Sequence, residues 1–183
     1  MRIHLVTGGA RGGKSGYAAR LAARIGGGDV TFVATARATD QEMARRIARH
    51  RAERPKEWAT IEVPVDAHRA VRAAATEVVL LDCLTLLTAN AMEAAYPEGE
   101  EAARRAMREE AERLIAAARG RPGRFIVVTN EVGFGIHPET AAGRWFRDGL
   151  GIANQLVAQA ADDVVLMVSG ISVAVKGSPA GAP

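Results

Sequence analysis

The sequence contains little cysteine and no long apolar stretch. Its 183 residues include one cysteine, Cys83, which cannot form a disulfide within the chain and fits a reducing compartment. The longest apolar runs, such as residues 164–168, are far shorter than the roughly 18 residues that cross a bilayer. The chain enters a strand-like run at residues 3–7 without the pattern of a signal peptide. We therefore expect a cytoplasmic protein without membrane insertion.

Aromatic side chains and dispersed positive charge are also scarce. Aromatics make up 4% of the chain and offer few surfaces on which single-stranded nucleic acid could stack. The 24 basic residues exceed the 21 acidic ones by three, and residues 41–54 hold five Arg against two Glu, which accounts for the whole excess. Nucleic-acid-binding proteins usually spread basic charge over a face. This concentration favours a site for a small polyanion, the alternative being a solvated Arg-rich helix face.

Short apolar runs alternate with Ala-rich helical patterns along the chain. Strands are predicted at residues 3–7, 30–34, 60–63, 78–81 and 125–129, with a C-terminal antiparallel hairpin at 164–168 and 172–175. Helices are predicted at residues 14–25, 40–51, 66–75, from 84 onward, 100–119 and 140–160. The alternation predicts a single α/β domain over residues 1–176, with a mostly parallel sheet flanked by helices. The tail, residues 177–183, is expected to be disordered.

Some local features carry narrower expectations. The polar helix at 100–119 is expected to face solvent on most sides, and Gly149 and Gly151 are expected to interrupt the helix at 140–160. His4 is expected to be structural, and His68 to be solvated.

A phosphate-binding motif follows the first predicted strand. The pattern G-x-x-x-x-G-K-[ST] is matched by Gly8, Gly9, Ala10, Arg11, Gly12, Gly13, Lys14 and Ser15. In this context the backbone N–H groups surround phosphate oxygens, and the helix N-terminus adds partial positive charge. Lys14 can reach the β- and γ-phosphates, and the Ser15 hydroxyl can hold Mg²⁺. The motif predicts binding of a nucleoside triphosphate.

A second carboxylate near the metal is expected in such enzymes. Asp82 ends the apolar run at 78–81 and should therefore emerge at the carboxyl edge of the sheet, where ligands bind. We predict that Asp82 and Ser15 share the metal site. A helix N-cap at Asp82 is compatible with this role.

Several segments, in order along nearly the whole chain, resemble the bifunctional adenosylcobinamide kinase/adenosylcobinamide-phosphate guanylyltransferase family of cobalamin biosynthesis. The matching segments are residues 7–15 (TGGARGGKS), 34–36 (ATA), 40–51 (DQEMARRIARHR), 54–55 (RP), 58–62 (WATIE), 81–86 (LDCLTL), 130–133 (NEVG), 146–148 (FRD) and 154–155 (NQ). The resemblance implies a RecA-like P-loop NTPase fold and a homotrimer. It implies that ATP or GTP phosphorylates adenosylcobinamide. GMP from GTP then passes through a histidine to the phosphorylated product, giving adenosylcobinamide-GDP.

The resemblance also implies which residues act. The guanylylated residue falls on His50. The implied GTP contacts beyond the P-loop are Thr35, Ala36, Arg37, Arg51, Ala52, Glu53, Arg54, Glu62 and Asp82. Departures from the family pattern are Gly12, Leu87, His137 and Ser172, and they bear on fine contacts rather than on the reaction.

The chemistry of the residues around His50 agrees with this role. A covalent nucleotidyl intermediate needs a nucleophile that is neutral near pH 7, which imidazole can be. Arg49, Arg51 and Arg54 supply positive charge for the phosphate oxygens. An exposed histidine in an Arg-rich helix is the alternative. Two other functions stay open at this point: a small-molecule P-loop kinase without nucleotidyl transfer, and a RecA-like ATPase that binds nucleic acid.

Overall fold

Seven strands form one sheet in the computed structural model, which describes residues 1–177. The strands are β1 (Arg2–Gly8), β2 (Val30–Ala34), β3 (Ala59–Glu62), β4 (Val78–Asp82), β5 (Arg124–Val128), β6 (Asp163–Val168) and β7 (Ile171–Lys176). The predicted disordered tail at 177–183 lies, apart from Gly177, outside the described residues.

The sheet has the order β3-β2-β4-β5-β1-β6-β7. Every neighbouring pair is parallel except β6 and β7, which form the predicted antiparallel hairpin. Because the strands from β1 to β6 run in one direction, their carboxyl ends meet at one edge of the sheet. The predicted fold, a mostly parallel P-loop sheet flanked by helices, is confirmed.

Helices connect the parallel strands. They are α1 (Lys14–Gly26), α2 (Gln41–Ala52), α3 (Ala67–Ala73), α4 (Leu84–Ala95), α5 (Glu100–Arg119) and α6 (Ala141–Ala160), with a 3₁₀ turn at Tyr96–Glu98. Their bounds lie within two residues of the predicted ones wherever both bounds were predicted. Among the described helices, none combines the length and the apolar character that a membrane crossing needs.

Two apolar cores cover the two faces of the sheet. Successive strand residues alternate between them, so that Leu81 belongs to one core and Leu80 to the other. Helices α3, α4, α5 and α6 pack on the Leu81 face. Helix α1 packs on the Leu80 face through residues such as Tyr17 and Leu21, joined there by Trp58. The sheet thus lies between the P-loop helix on one face and the layer of four helices on the other.

The expectation that α5 faces solvent on most sides is wrong. Eight of its residues are buried, namely Ala102, Ala103, Met107, Glu110, Ala111, Leu114, Ala117 and Ala118. The helix packs against α3, α4 and α6. Alanine contributes little to hydropathy, but its small size lets neighbouring helices approach closely. A polar composition therefore conceals a buried face.

Helix α6 runs without interruption through Gly149 and Gly151, contrary to expectation. Gly149 faces α5, where an added Cβ would collide with the Met107 side chain. The glycine therefore permits close contact between the two helices.

Candidate active site

The P-loop leaves β1 at the carboxyl edge and opens α1. Gly8 has φ +145°, and an added Cβ there would collide with the backbone of Met167 in β6. The loop is also tied to its neighbours, since Glu131 N donates to Gly8 O (3.1 Å) and Gly170 N donates to Gly12 O (3.2 Å). The strands beside β1 therefore fix the shape of the phosphate-binding loop.

Lys14 is the first residue of α1 and is 7% exposed. Its Nζ donates to Gly9 O at 2.6 Å, which holds the ammonium across the loop. Burial lowers the pKa of Lys14, opposed by the nearby Cys83 and Asp82. No acidic residue occupies the first turn of α1, so the positive end of the helix is not neutralised there.

Ser15 and Asp82 meet beside the loop. The Ser15 side chain lies close enough to the Asp82 carboxyl to influence its pKa. Burial raises the pKa of Asp82, and the neighbouring Ser15, His50, Arg54 and Lys14 oppose that rise. A hydroxyl and a carboxylate are the hard oxygen donors that Mg²⁺ prefers. The pair therefore fits a magnesium ion that accompanies a triphosphate.

Helix α2 forms the opposite wall of the cleft. Its N-cap is Asp40, whose Oδ1 accepts from Met43 N at 2.7 Å, and the helix has no buried residue. His50 lies in its last turn and is half-buried. Between α2 and the P-loop lies a cavity of about 730 Å³. It is lined by residues 10–16, Glu42, Arg45, Arg46, Arg49, His50, Asp82, Cys83, Val128 and Asn130.

A second, largely apolar cavity adjoins the first beneath α2. Its apolar lining residues are Phe32, Ala34, Ala36, Met43, Ile47 and Leu86, and it shares Ser15, Arg46, His50, Asp82 and Cys83 with the first cavity. Arg54 and Glu62 complete the wall. The Arg54 guanidinium carbon lies 3.9 Å from the centre of the Phe32 ring, and its buried Nε and Nη1 have no hydrogen-bond partner among the described residues. Burial lowers the pKa of Arg54.

Most of the residues predicted for the site line one of these cavities. They are Ala10, Arg11, Gly12, Gly13, Lys14, Ser15, Ala36, His50, Arg54, Glu62 and Asp82. Seven other predicted residues line neither cavity in the described part of the chain: Gly8, Gly9, Thr35, Arg37, Arg51, Ala52 and Glu53.

Three of the outlying residues have other partners. The buried Thr35 hydroxyl donates to Cys83 O (2.7 Å) and accepts from Cys83 N (2.9 Å), which joins the ends of β2 and β4. Arg37 pairs with Glu93 at 2.8 Å, and Arg51 lies 3.5 Å from Glu62. Of the three arginines expected around His50, Arg49 and Arg54 face the cavities, whereas Arg51 faces Glu62.

Sequence reasoning missed several cavity residues, among them four that line the apolar cavity. Met43, Arg46 and Ile47 precede His50 by seven, four and three positions, and Leu86 lies in α4. The spacing on α2 could have identified the first three, because residues three, four and seven apart share a helix face.

The other histidines lie elsewhere. His4 is buried as expected, with Nδ1 2.9 Å from Asp163 Oδ2, and burial lowers its pKa. His137 is exposed, and its Nδ1 lies 2.8 Å from Arg147 Nη1. The expectation that His68 is solvated is wrong, because its side chain is 17% exposed and lies near Asp66 and Glu110.

Known proteins resemble this chain over almost its whole length. The bifunctional adenosylcobalamin biosynthesis protein CobU of Salmonella typhimurium is 42% identical over 181 residues, which cover 94% of this chain and 98% of that protein. CobU of Escherichia coli is 41% identical over 184 residues, with the same coverage of 94% and 98%. The bifunctional adenosylcobalamin biosynthesis protein CobP of Pseudomonas aeruginosa is 40% identical over 177 residues, covering 96% and 98%.

A solved structure and a family model also match this chain. The flagellar accessory protein FlaH of Methanocaldococcus jannaschii, a solved structure, is 15% identical with a TM-score of 0.48, covering 100% of this chain and 82% of that one. The model of the family described as cobinamide kinase/cobinamide phosphate guanyltransferase matches residues 4–175. This chain therefore belongs to the cobinamide kinase/cobinamide phosphate guanyltransferase family.

Proposed function

We propose that this chain phosphorylates adenosylcobinamide with ATP or GTP and then transfers GMP from GTP to the product through a guanylyl group on His50. The observation that carries the proposal is the shared cavity. The imidazole of His50 and the P-loop with its Lys14 line the same cleft, together with Arg46 and Arg49. One bound triphosphate can thus meet a phosphate cradle and a nucleophile together.

The kinase step uses the P-loop wall. The aminopropanol hydroxyl oxygen attacks the γ-phosphorus, the bond to the β–γ bridging oxygen breaks, and the nucleoside diphosphate leaves as the hydroxyl loses its proton. Loop N–H groups and Lys14 bind the phosphate oxygens and stabilise the charge that develops on them.

The guanylyl transfer uses the α2 wall. A neutral imidazole nitrogen of His50 attacks the α-phosphorus of GTP, and pyrophosphate leaves. A phosphate oxygen of adenosylcobinamide phosphate then attacks the same phosphorus, and the imidazole leaves. Arg46 and Arg49, which line the cleft beside His50, stabilise the negative oxygens in both transfers. The apolar cavity with Phe32 and Arg54 is where we place the guanine base.

Ser15 and Asp82 would hold the Mg²⁺ that accompanies the nucleotide. When bound, the ion offsets negative charge on the phosphate oxygens. Both residues line the first cavity beside Lys14, which supports this assignment.

A cytoplasmic homotrimer is part of the proposal. The edge strand β7 exposes Ile171, Val173 and Val175, an apolar row that a second copy would cover. Sedimentation of the purified chain measures its oligomeric state directly.

The decisive experiment follows labelled GMP. We expect that GTP labelled on the α-phosphate leaves label on the denatured protein, and that the adduct is labile in acid and stable in base, as a phosphorus–nitrogen bond to imidazole is. His50→Ala should abolish the adduct, a loss on the order of 10³-fold or more in guanylyl transfer, as for other covalent nucleophiles. The matched control is His137→Ala, an exposed histidine of the same type.

The outcomes separate the candidate functions. Kinase activity should survive His50→Ala at least in part, because Lys14, Ser15 and Asp82 remain. An unlabelled wild-type protein that still phosphorylates adenosylcobinamide would indicate a plain P-loop kinase. Label that maps to another residue in the wild type would mean that the nucleophile is not His50.

A further inference from the structure

Three metal-ligating side chains meet on the face of the sheet opposite the P-loop helix. Asp66 precedes α3, His68 lies in its first turn, and Glu110 lies in the middle of α5. One ligand atom from each residue lies within 4.8 Å of the other two. Because α3 and α5 belong to the helix layer across the sheet from α1, this cluster is separate from the nucleotide cleft.

Glu110 is the unusual member of the cluster. It is 1% exposed, in a position where a carboxylate is strongly disfavoured unless its oxygens are bound. Arg113 Nη2 donates to Oε2 at 2.5 Å, while the buried Oε1 has no hydrogen-bond partner among the described residues. One oxygen of a buried carboxylate is therefore left for a ligand.

Asp66 and His68 also present atoms that could bind a ligand. Asp66 turns Oδ2 toward Arg69, at 3.9 Å, and Oδ1 toward His68 Nδ1, at 3.8 Å. The latter distance is too long for a hydrogen bond, and the buried His68 Nδ1 has no hydrogen-bond partner among the described residues. Asp66 thus has one oxygen near an arginine and the other near His68, while Glu110 has one oxygen bound by Arg113 and one without a partner among the described residues.

We propose that Asp66, His68 and Glu110 form a second metal site, which binds Zn²⁺ or a similar divalent transition metal in preference to Mg²⁺. An imidazole nitrogen with two carboxylate oxygens suits these ions, whereas Mg²⁺ favours oxygen donors and retains its waters. Ligand bonds of about 2.0–2.2 Å need the donor atoms to close in by roughly 1 Å. Asp66, which is partly exposed, leaves room for water as a fourth ligand.

The bound ion would join α3 to α5. Asp66 lies two residues after Pro64, whose carbonyl oxygen accepts from Asn90 Nδ2, and the same amide donates to Thr35 O. The site would therefore stabilise the packing of α3 and the chain segment that returns from β3. The expected readout is stability rather than the transfer chemistry, so this proposal does not depend on the role of His50.

The test is a titration of the full-length, metal-stripped protein with Zn²⁺ in excess Mg²⁺ and without nucleotide. We expect one Zn²⁺ to bind and to raise the melting temperature. Co²⁺ in its place should give a visible absorption band. His68→Ala and Asp66→Asn should each weaken binding by at least about tenfold and remove the rise in melting temperature. Asp66→Asn retains the side-chain shape and keeps the test usable if His68→Ala fails to fold.

His137→Ala is the matched control and should bind Zn²⁺ as the wild type does, because His137 lies on an exposed loop. The proposal is wrong if wild type and Asp66→Asn bind Zn²⁺ equally, or if His50→Ala rather than His68→Ala abolishes binding. It is also wrong if micromolar Zn²⁺ leaves the melting temperature of the wild type unchanged.

Discussion

The two walls of the nucleotide cleft are built in opposite ways. The P-loop is inserted between strands, with Gly8 against Met167 and Lys14 buried. Helix α2 (Gln41–Ala52) has no buried residue, and its Asp40 cap is exposed. The difference separates two kinds of dependence. Substitutions in the P-loop wall should affect both the fold and the chemistry, whereas substitutions on α2 should affect the chemistry and leave the free energy of unfolding almost unchanged.

Lys14→Ala should have the largest effect on activity and should affect both transfers. The side chain is the buried cation of the loop, and the loss of such a contact to a transferring phosphate removes roughly 3 kcal/mol or more of transition-state stabilisation. Steady-state kinase and guanylylation assays of the variant measure it. A variant with near-wild-type kinase turnover would contradict the assignment of the P-loop as the triphosphate site.

Gly8→Ala tests how firmly the P-loop is integrated into the fold. The φ of +145° and the collision with Met167 should lower the free energy of unfolding by about 1–3 kcal/mol. Gly9→Ala is the matched control, since a Cβ there meets no atom within 4 Å. Urea denaturation of both variants measures the difference. Equal stability for the two would show that the strands beside β1 do not constrain the loop.

Asp82→Asn should increase the stability of the fold and weaken Mg²⁺-dependent nucleotide binding. Burial raises the pKa of Asp82, so its ionised form destabilises the folded state. This destabilisation is complete above the folded pKa and vanishes below the ordinary value of 3.8. The variant should therefore be more stable than the wild type at pH 7, with a difference that shrinks as the pH falls.

The same variant should lose Mg²⁺-dependent nucleotide binding by about tenfold or more, while binding without metal changes little. Nucleotide titrations with and without Mg²⁺ measure this, alongside denaturation at pH 7 and pH 4. Equal losses of binding in both titrations would reduce Asp82 to a structural role.

The contrast between the walls also explains what the sequence could predict. The P-loop and Asp82 were predicted because each depends on a local pattern, a motif or the end of an apolar strand, whereas the role of His50 was implied by the family resemblance of its segment. The apolar cavity beneath α2 was missed because it forms only when that helix lies over Phe32 in β2 and Leu86 in α4.

The two wrong expectations on the other face of the sheet, for helix α5 and for His68, have the same cause. Helix α5 is polar by composition but buries its alanines between neighbouring helices, and His68 is enclosed by Glu110 from a distant part of the chain. Packing between elements that are distant in sequence determines the burial of the α5 alanines and of His68. A local sequence pattern does not indicate such packing.

Two arginines give the smallest and most discriminating test of the α2 side. Arg54 lies over Phe32 with two buried nitrogens that have no hydrogen-bond partner in the described part of the chain, whereas Arg51 makes an exposed pair with Glu62. A charged hydrogen bond to the nucleotide is worth about 1.5–3 kcal/mol, so Arg54→Gln should slow guanylylation of His50 by roughly tenfold or more. An exposed ion pair is worth less than about 1 kcal/mol, so Arg51→Gln should change the rate by no more than about fivefold. Single-turnover labelling with α-labelled GTP measures both rates, and denaturation should find both variants close to the wild type in stability. A larger effect from Arg51 than from Arg54 would place the nucleotide on the outer side of α2, away from the cavity over Phe32.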